Sequence, residues 1–185
     1  MILETERLLL RPWEVRDAKD LYEYAKDPQV GPITGWPVHT SVRESRGILK
    51  NALIRPETYA VTLKGSDHPI GSVCIFSPAR VDNVQPGEME IGCWLGVPFW
   101  GHGYIPEAIA RLQKHAFEDL DCTALWYGWY DGNVKSDRCR EKCGFTYHHT
   151  EKDRECLLMH ELRTEHFARL TREEWLRRSS RTAAL

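Results

Sequence analysis

No stretch of this chain is apolar over the ~20 residues that span a bilayer. Its opening Met1-Ile2-Leu3-Glu4-Thr5-Glu6-Arg7 carries charges where a secretory signal would carry its apolar segment. A cytoplasmic protein without a membrane partner is expected. Neither sign of charge predominates: 25 Lys and Arg stand against 27 Asp and Glu. That balance gives no general attraction for nucleic acid. The six cysteines (Cys74, Cys93, Cys122, Cys139, Cys143, Cys156) contain no C-x-x-C pair, so neither a zinc site nor a disulfide framework is expected, and they read as free core thiols. No Ser/Gly/Pro-rich linker or internal repeat divides the 185 residues, of which 42% are hydrophobic. They read as one domain over 1–185, with a core over about 3–162 and an extension over 163–185. The basic run Arg177-Arg178-Ser179-Ser180-Arg181 reads as a frayed, solvated end.

What the chain does have is Trp94-Leu95-Gly96-Val97-Pro98-Phe99-Trp100-Gly101-His102-Gly103-Tyr104-Ile105-Pro106-Glu107-Ala108, a strand running into a glycine turn and then a helix. Two glycines one residue apart let the backbone turn tightly and point several N–H groups one way, at the positive end of a helix dipole, where a pyrophosphate is stabilised. A plain tight turn has the same letters, so the motif alone leaves both readings open. The loop lacks a Gly-Lys-Ser/Thr ending, and Pro106 or Glu107 stands where a dinucleotide fingerprint has its third glycine. ATP and NAD are therefore disfavoured.

Around this turn the pattern predicts strands at 8–12, 59–63, 70–76, 88–95, 124–129, 145–149 and 157–162. Helices are predicted over about 15–26, 41–53, 106–118 and 133–143. Three helix breakers in Gly31-Pro32-Ile33-Thr34-Gly35-Trp36-Pro37-Val38 mark a loop suited to a substrate mouth. A meander giving way to one β-α-β unit predicts an α/β (α+β) fold: a mixed, mostly antiparallel sheet with helices on both faces.

Five segments fall in the order and spacing of the GNAT acyltransferases. They are Glu4-Thr5-Glu6-Arg7-Leu8-Leu9-Leu10-Arg11-Pro12, Pro69-Ile70-Gly71-Ser72-Val73, Glu90-Ile91-Gly92-Cys93-Trp94-Leu95, Trp100-Gly101-His102-Gly103-Tyr104 with Glu107-Ala108, and Asn133-x-x-Ser136 followed by Glu141-Lys142-Cys143-Gly144-Phe145. More narrowly, the chain resembles the RimJ/RimL-like branch, whose members acetylate ribosomal proteins, over about residues 3–162. The resemblance implies an acetyl-CoA-dependent N-acetyltransferase whose sheet splays between the fourth and fifth predicted strands. Leu95 and Val97 would bond the pantetheine arm through their backbones. Trp100 opens the glycine motif, and the amides of Gly101, His102, Gly103, Tyr104 and Ile105 would take the pyrophosphate. Pro98 replaces the Gln/Arg that often opens that motif, and Ile105-Pro106 removes one amide and one hydroxyl from its end. His102, in place of the usual Lys/Arg, is expected to face phosphate weakly.

Asn133 maps onto an asparagine that reaches the pantetheine arm, and Ser136 onto a position near the cofactor sulfur. An N-cap with a satisfied first turn is an equally physical reading of the pair. Transfer to an amine needs a neutral nucleophile and a stabilised leaving thiolate. Glu90 maps onto the proton acceptor, Glu88 is the competing base, and proximity without any base is a third route. The position seven residues after Asn133, where many members place a tyrosine, is Arg140, so Ser136 is the expected donor to sulfur. The acceptor is open: a protein N-terminus or a small amine, with Glu88 and Glu90 favouring a cationic one. Loops 33–39 and 80–87, and Trp36, Trp94, Trp126 and Trp129, are candidates to shape its cleft, although strand aromatics also serve as core. A non-catalytic acyl-CoA-binding module and an interaction protein remain as alternatives, a homodimer is a family-level expectation, and no metal is expected.

Overall fold

The structure, a computed structural model, describes residues 1–78, 81 and 84–182. Eight strands form one sheet: β1 Leu3–Glu4, β2 Leu8–Pro12, β3 Thr58–Leu63, β4 Pro69–Phe76, β5 Glu88–Leu95, β6 Ala124–Tyr130, β7 Thr146–Cys156 and β8 Glu161–Thr171. Their order is β1-β2-β3-β4-β5-β6-β8-β7. The helices are α1 Ala18–Ala25, α2 Gly31–Thr34, α3 Val42–Ile48, α4 Tyr104–Glu118, α5 Val134–Lys142 and α6 Arg172–Thr182. Every pairing is antiparallel except β5 with β6. Parallel neighbours need a crossover, and α4 is that crossover.

Two clusters cover the two faces. Ile109, Leu112, Ala116 and Phe117 of α4 pack with Val61, Ile91, Leu125 and Tyr127. Ala18, Leu21 and Ala25 of α1 pack with Trp13, Leu49 and Ala60. Ala60 and Val61 are consecutive in β3, and successive strand residues point to opposite faces, so helices lie on both sides of the sheet as expected. No described helix is long and apolar enough to cross a membrane.

The expected elements from β2 to α5 are present to within a few residues, and the differences have physical causes. Gly31–Thr34, read as loop, forms one short helix ended by Gly35 in the left-handed region (φ 92°). The expected last strand, 157–162, is mostly a turn: Leu157 and Leu158 are exposed, and the strand proper runs over Glu161–Thr171. It is buried on both faces, through Glu165 and Phe167 on one and Ala168 and Leu170 on the other, and the interleaved charges disguise the pattern. The basic run 177–180 is solvated but helical rather than frayed, because α6 docks Trp175 on Phe117 at 5.3 Å between ring centroids.

Candidate active site

β5 and β6 pair only from Glu88 opposite Ala124 to Ile91 opposite Tyr127. Beyond that point β5 stays with β4 and β6 with β8, so the sheet opens between them. Gly96 N–H donates to Ile70 O at 2.8 Å. By the alternation of an antiparallel ladder, the Leu95 peptide groups then face the opening. The Leu95 carbonyl already accepts Trp100 Nε1 at 2.8 Å. The opening leads into a cleft of about 960 Å³, which Leu95, Trp100, Gly101, Gly103, Tyr104, Ile105, Asn133 and Ser136 all line. Val97, His102 and Glu90 do not line it. The Val97 carbonyl closes a turn with Trp100 N–H (3.1 Å), and the exposed His102 ring stacks on Tyr104.

Gly101 and Gly103 both have left-handed backbones (φ 83° and 80°), and a Cβ at Gly101 would meet open space. Among the described residues, no amide from Gly101 to Ile105 donates to a backbone carbonyl. The head of the 15-residue α4 therefore presents N–H groups to the cleft. A turn from the far end of the chain holds this loop. Glu107 accepts Thr5 Oγ1 (2.5 Å), Arg7 N–H (2.9 Å) and Arg7 Nε (2.6 Å), while Arg7 Nη1 donates to His102 O (3.0 Å). That clamp explains why Glu4-Thr5-Glu6-Arg7 and Glu107 travel together in the motif set. Partial burial pushes the Glu107 carboxyl up, but the three donors outweigh it and hold it below its ordinary value. The clamp is complete above about pH 4.3 and is lost as pH falls through the depressed value.

α5 closes the other side. Asn133 is its N-cap, with Oδ1 accepting Ser136 N–H at 3.1 Å, so the capping role and a place in the cleft coexist. Ser136 Oγ lies 2.9 Å from the hydroxyl of Tyr127, and Tyr127 lines the same cleft. Arg140 instead binds Asp137 (2.8 Å) and the Phe145 carbonyl (3.3 Å). A phenol thus reaches the cleft from β6 rather than from α5, a contact the sequence reading missed. Alternation with Leu125 and Trp129 marks Tyr127 as inward-facing, but nothing local to it announces Ser136. Lys135, Arg138 and Lys142 add positive charge to the rim, with Lys135 Nζ 4.0 Å over the Trp100 ring.

Glu88 and Glu90 alternate with Met89 and Ile91, so they point to the opposite face. Glu88 is committed to structure: it accepts Trp126 Nε1 (2.7 Å) and Gln85 N–H (3.3 Å) and pairs with Arg169. Burial raises its pKa, yet these donors outweigh burial and hold it below the ordinary carboxylate range. Glu90 is 1% exposed and sits opposite Trp126 at the last paired rungs before the opening. A Cβ at Gly128 would lie 3.2 Å from Glu90 Oε1 and 3.1 Å from Glu165 Oε1, so glycine there is what lets both carboxylates approach β6. Of the tryptophans, Trp94 packs against Trp13 and Trp36 beside the cleft, Trp126 borders a separate cavity with His148 and Arg169, and Trp129 is core. Arg80, at the head of the second expected substrate loop, lies outside the described residues.

The acetyltransferase (GNAT) domain family matches residues 7–146. The chain belongs to the GNAT family. It is 33% identical over 128 residues to the uncharacterized N-acetyltransferase p20 of Bacillus licheniformis, covering 66% of this chain and 70% of p20. It is 36% identical over 76 residues to YdaF of Bacillus subtilis, provisionally named a ribosomal N-acetyltransferase, covering 40% of this chain and 41% of YdaF. The fold matches a GNAT-family acetyltransferase structure from Bacillus anthracis with a TM-score of 0.81 at 22% identity, over 94% of this chain and all of that one. This GNAT chain is an N-acetyltransferase of the RimJ/RimL-like kind, and its family uses acetyl-CoA.

The residues present fit that co-substrate: a phosphate-rich ligand would meet uncommitted amides at a helix head with basic side chains around them. Replacing Glu107 by glutamine removes the charge that orders the loop from behind. Its acetyl-CoA affinity, read by calorimetry, is expected to fall about tenfold, since charge-assisted bonds contribute roughly 1.5–3 kcal/mol.

Proposed function

We propose that this GNAT enzyme transfers acetyl from acetyl-CoA to a primary amine by direct attack in a ternary complex, with a cationic acceptor such as a protein N-terminus or a small polyamine. The observation that carries the proposal is the opening between β5 and β6. The cleft with Asn133 and Ser136 lies on one face, and Glu90 stands at the opening on the other. Two reactants approaching from opposite sides can meet there without an enzyme-bound acyl group. Acetyl-CoA supplies the activated thioester. The amides of Gly101 to Ile105 would hold its pyrophosphate, and the Leu95 strand edge and Asn133 would align the pantetheine arm. Ser136 O–H would stabilise the departing sulfur, and Glu90 would accept the amine proton, directly or through water. The name of YdaF supports trying ribosomal N-termini among the acceptors.

Calorimetric titration with acetyl-CoA, with 3′-dephospho-CoA and ATP as controls, tests the donor half. Micromolar acetyl-CoA binding without ATP binding is the expected result. A thiol-release assay with N-terminal peptides, polyamines and aminoglycosides tests the acceptor half. Folded protein that binds no acetyl-CoA would sink the proposal.

A further inference from the structure

Two hydroxyls, not one, meet on the cofactor side of the opening. Tyr127 is 2% exposed, and its hydroxyl lies 2.9 Å from Ser136 Oγ and 3.5 Å from Cys93 Sγ. Phe145 and Trp129 flank its ring at 5.3 and 6.4 Å, which fixes the direction of the phenol. Tyr127, Ser136, Cys93 and Cys139 together line one stretch of the cleft.

We propose that Tyr127 is a positioning residue that donates its hydroxyl proton to Ser136 Oγ and thereby directs the serine O–H to the leaving sulfur, an inference that rests on the role given to Ser136 above. The donor sense follows from the neighbours. A serine oxygen is a better acceptor than a thiol sulfur, so the phenolic hydrogen goes to Ser136 and the Cys93 S–H gives its weak bond to the phenol oxygen. With Tyr127 donating, Ser136 Oγ has its remaining hydrogen to offer the cleft. Each donor in the row Cys93, Tyr127, Ser136 polarises the next. The serine backbone cannot swing away, because its N–H is tied to the Asn133 cap.

The tyrosine keeps its proton throughout. Burial pushes its pKa well up, and among the described residues the groups acting on it are Cys93, Cys139 and Ser136, none of them a cation that would stabilise a phenolate. In the transfer step the new C–N bond forms and the C–S bond breaks. The electron pair stays on sulfur against the Ser136 hydroxyl, and the surplus amine proton leaves on the Glu90 side.

The test uses Y127F, S136A and the double variant, with two readouts besides turnover. One is acetyl-CoA affinity, and the other is the pKa of the bound CoA thiol, followed by thiolate absorbance from about pH 6 to 10. Y127F keeps the ring and removes only the hydroxyl. It is expected to hold acetyl-CoA within about twofold of wild type, to lower kcat about fivefold with KM little changed, and to raise the bound-thiol pKa. S136A is expected to raise that pKa further, and the double variant to match S136A. A bound-thiol pKa unmoved by Y127F, or a double variant slower than S136A by the full Y127F factor, overturns the proposal. Loss of acetyl-CoA binding in Y127F also overturns it, by showing a structural role. If S136A itself is silent in both readouts, the Ser136 assignment fails and takes this inference with it; a normal S136A effect beside a silent Y127F removes only the tyrosine.

Discussion

Replacing Glu90 by glutamine is expected to lower kcat about a hundredfold at neutral pH, with acetyl-CoA affinity unchanged. Glutamine keeps the size and the accepting oxygen but cannot take a proton, and a positioned base is worth roughly 10²–10⁴ in rate. Glu90 has the right address for the role. It is buried on β5, at the last rungs before the strands part, on the face opposite the cleft, and Gly128 leaves room for its carboxylate beside β6. The deficit should narrow as pH rises toward the pKa of the acceptor, where the amine loses its proton to solvent. Glu88→Gln gives the contrast. Its carboxylate is held by Trp126, Arg169 and Gln85, so the loss should appear in thermal stability rather than in the pH dependence of kcat. Wild-type turnover in E90Q at pH 7 would mean that proximity alone carries the reaction.

Asp17→Ala is expected to destabilise the fold by about 3 kcal/mol, a fall of roughly 10 °C in melting temperature for a chain of this size. Arg11 forks onto Asp17 through two contacts of 2.8 Å, and the two side chains are only 9% and 4% exposed. Asp17 also accepts Glu14 N–H at 2.9 Å, so it ties β2 to the turn that starts α1. Without it, among the described residues, a buried guanidinium keeps only the half-exposed Asp67 as its anionic partner. Because the cost is an unpaired charge rather than a lost attraction, the R11M/D17L double variant should recover much of the stability. Calorimetric melting of both variants checks this, and a double variant as unstable as the single one would refute the account.

The fold was legible in the sequence wherever local chemistry repeats with a clean period. The Glu88–Leu95 strand, the Gly-x-Gly turn and the amphipathic α4 all announce themselves. Legibility failed where charges interrupt the period. In β8 the buried Glu165 and the intervening Arg and His hide a strand, while exposed Leu157 and Leu158 mimic one. Glu88 and Glu90 show the same limit at the site: they are identical residues two positions apart, and only the fold shows that Glu88 is bound by Trp126 and Arg169 while Glu90 lies next to the opening.

By itself the sequence determined the family, the strand-turn-helix cradle and the capped start of α5, because these rest on short-range geometry and on motif order. Tertiary structure alone decided that Thr5 and Arg7 brace the glycine loop through Glu107, that Gly128 admits two carboxylates, and that Tyr127 reaches Ser136. Those contacts join segments brought together only when β5 and β6 part and the helices pack across them, and no local pattern encodes the direction in which a distant side chain arrives.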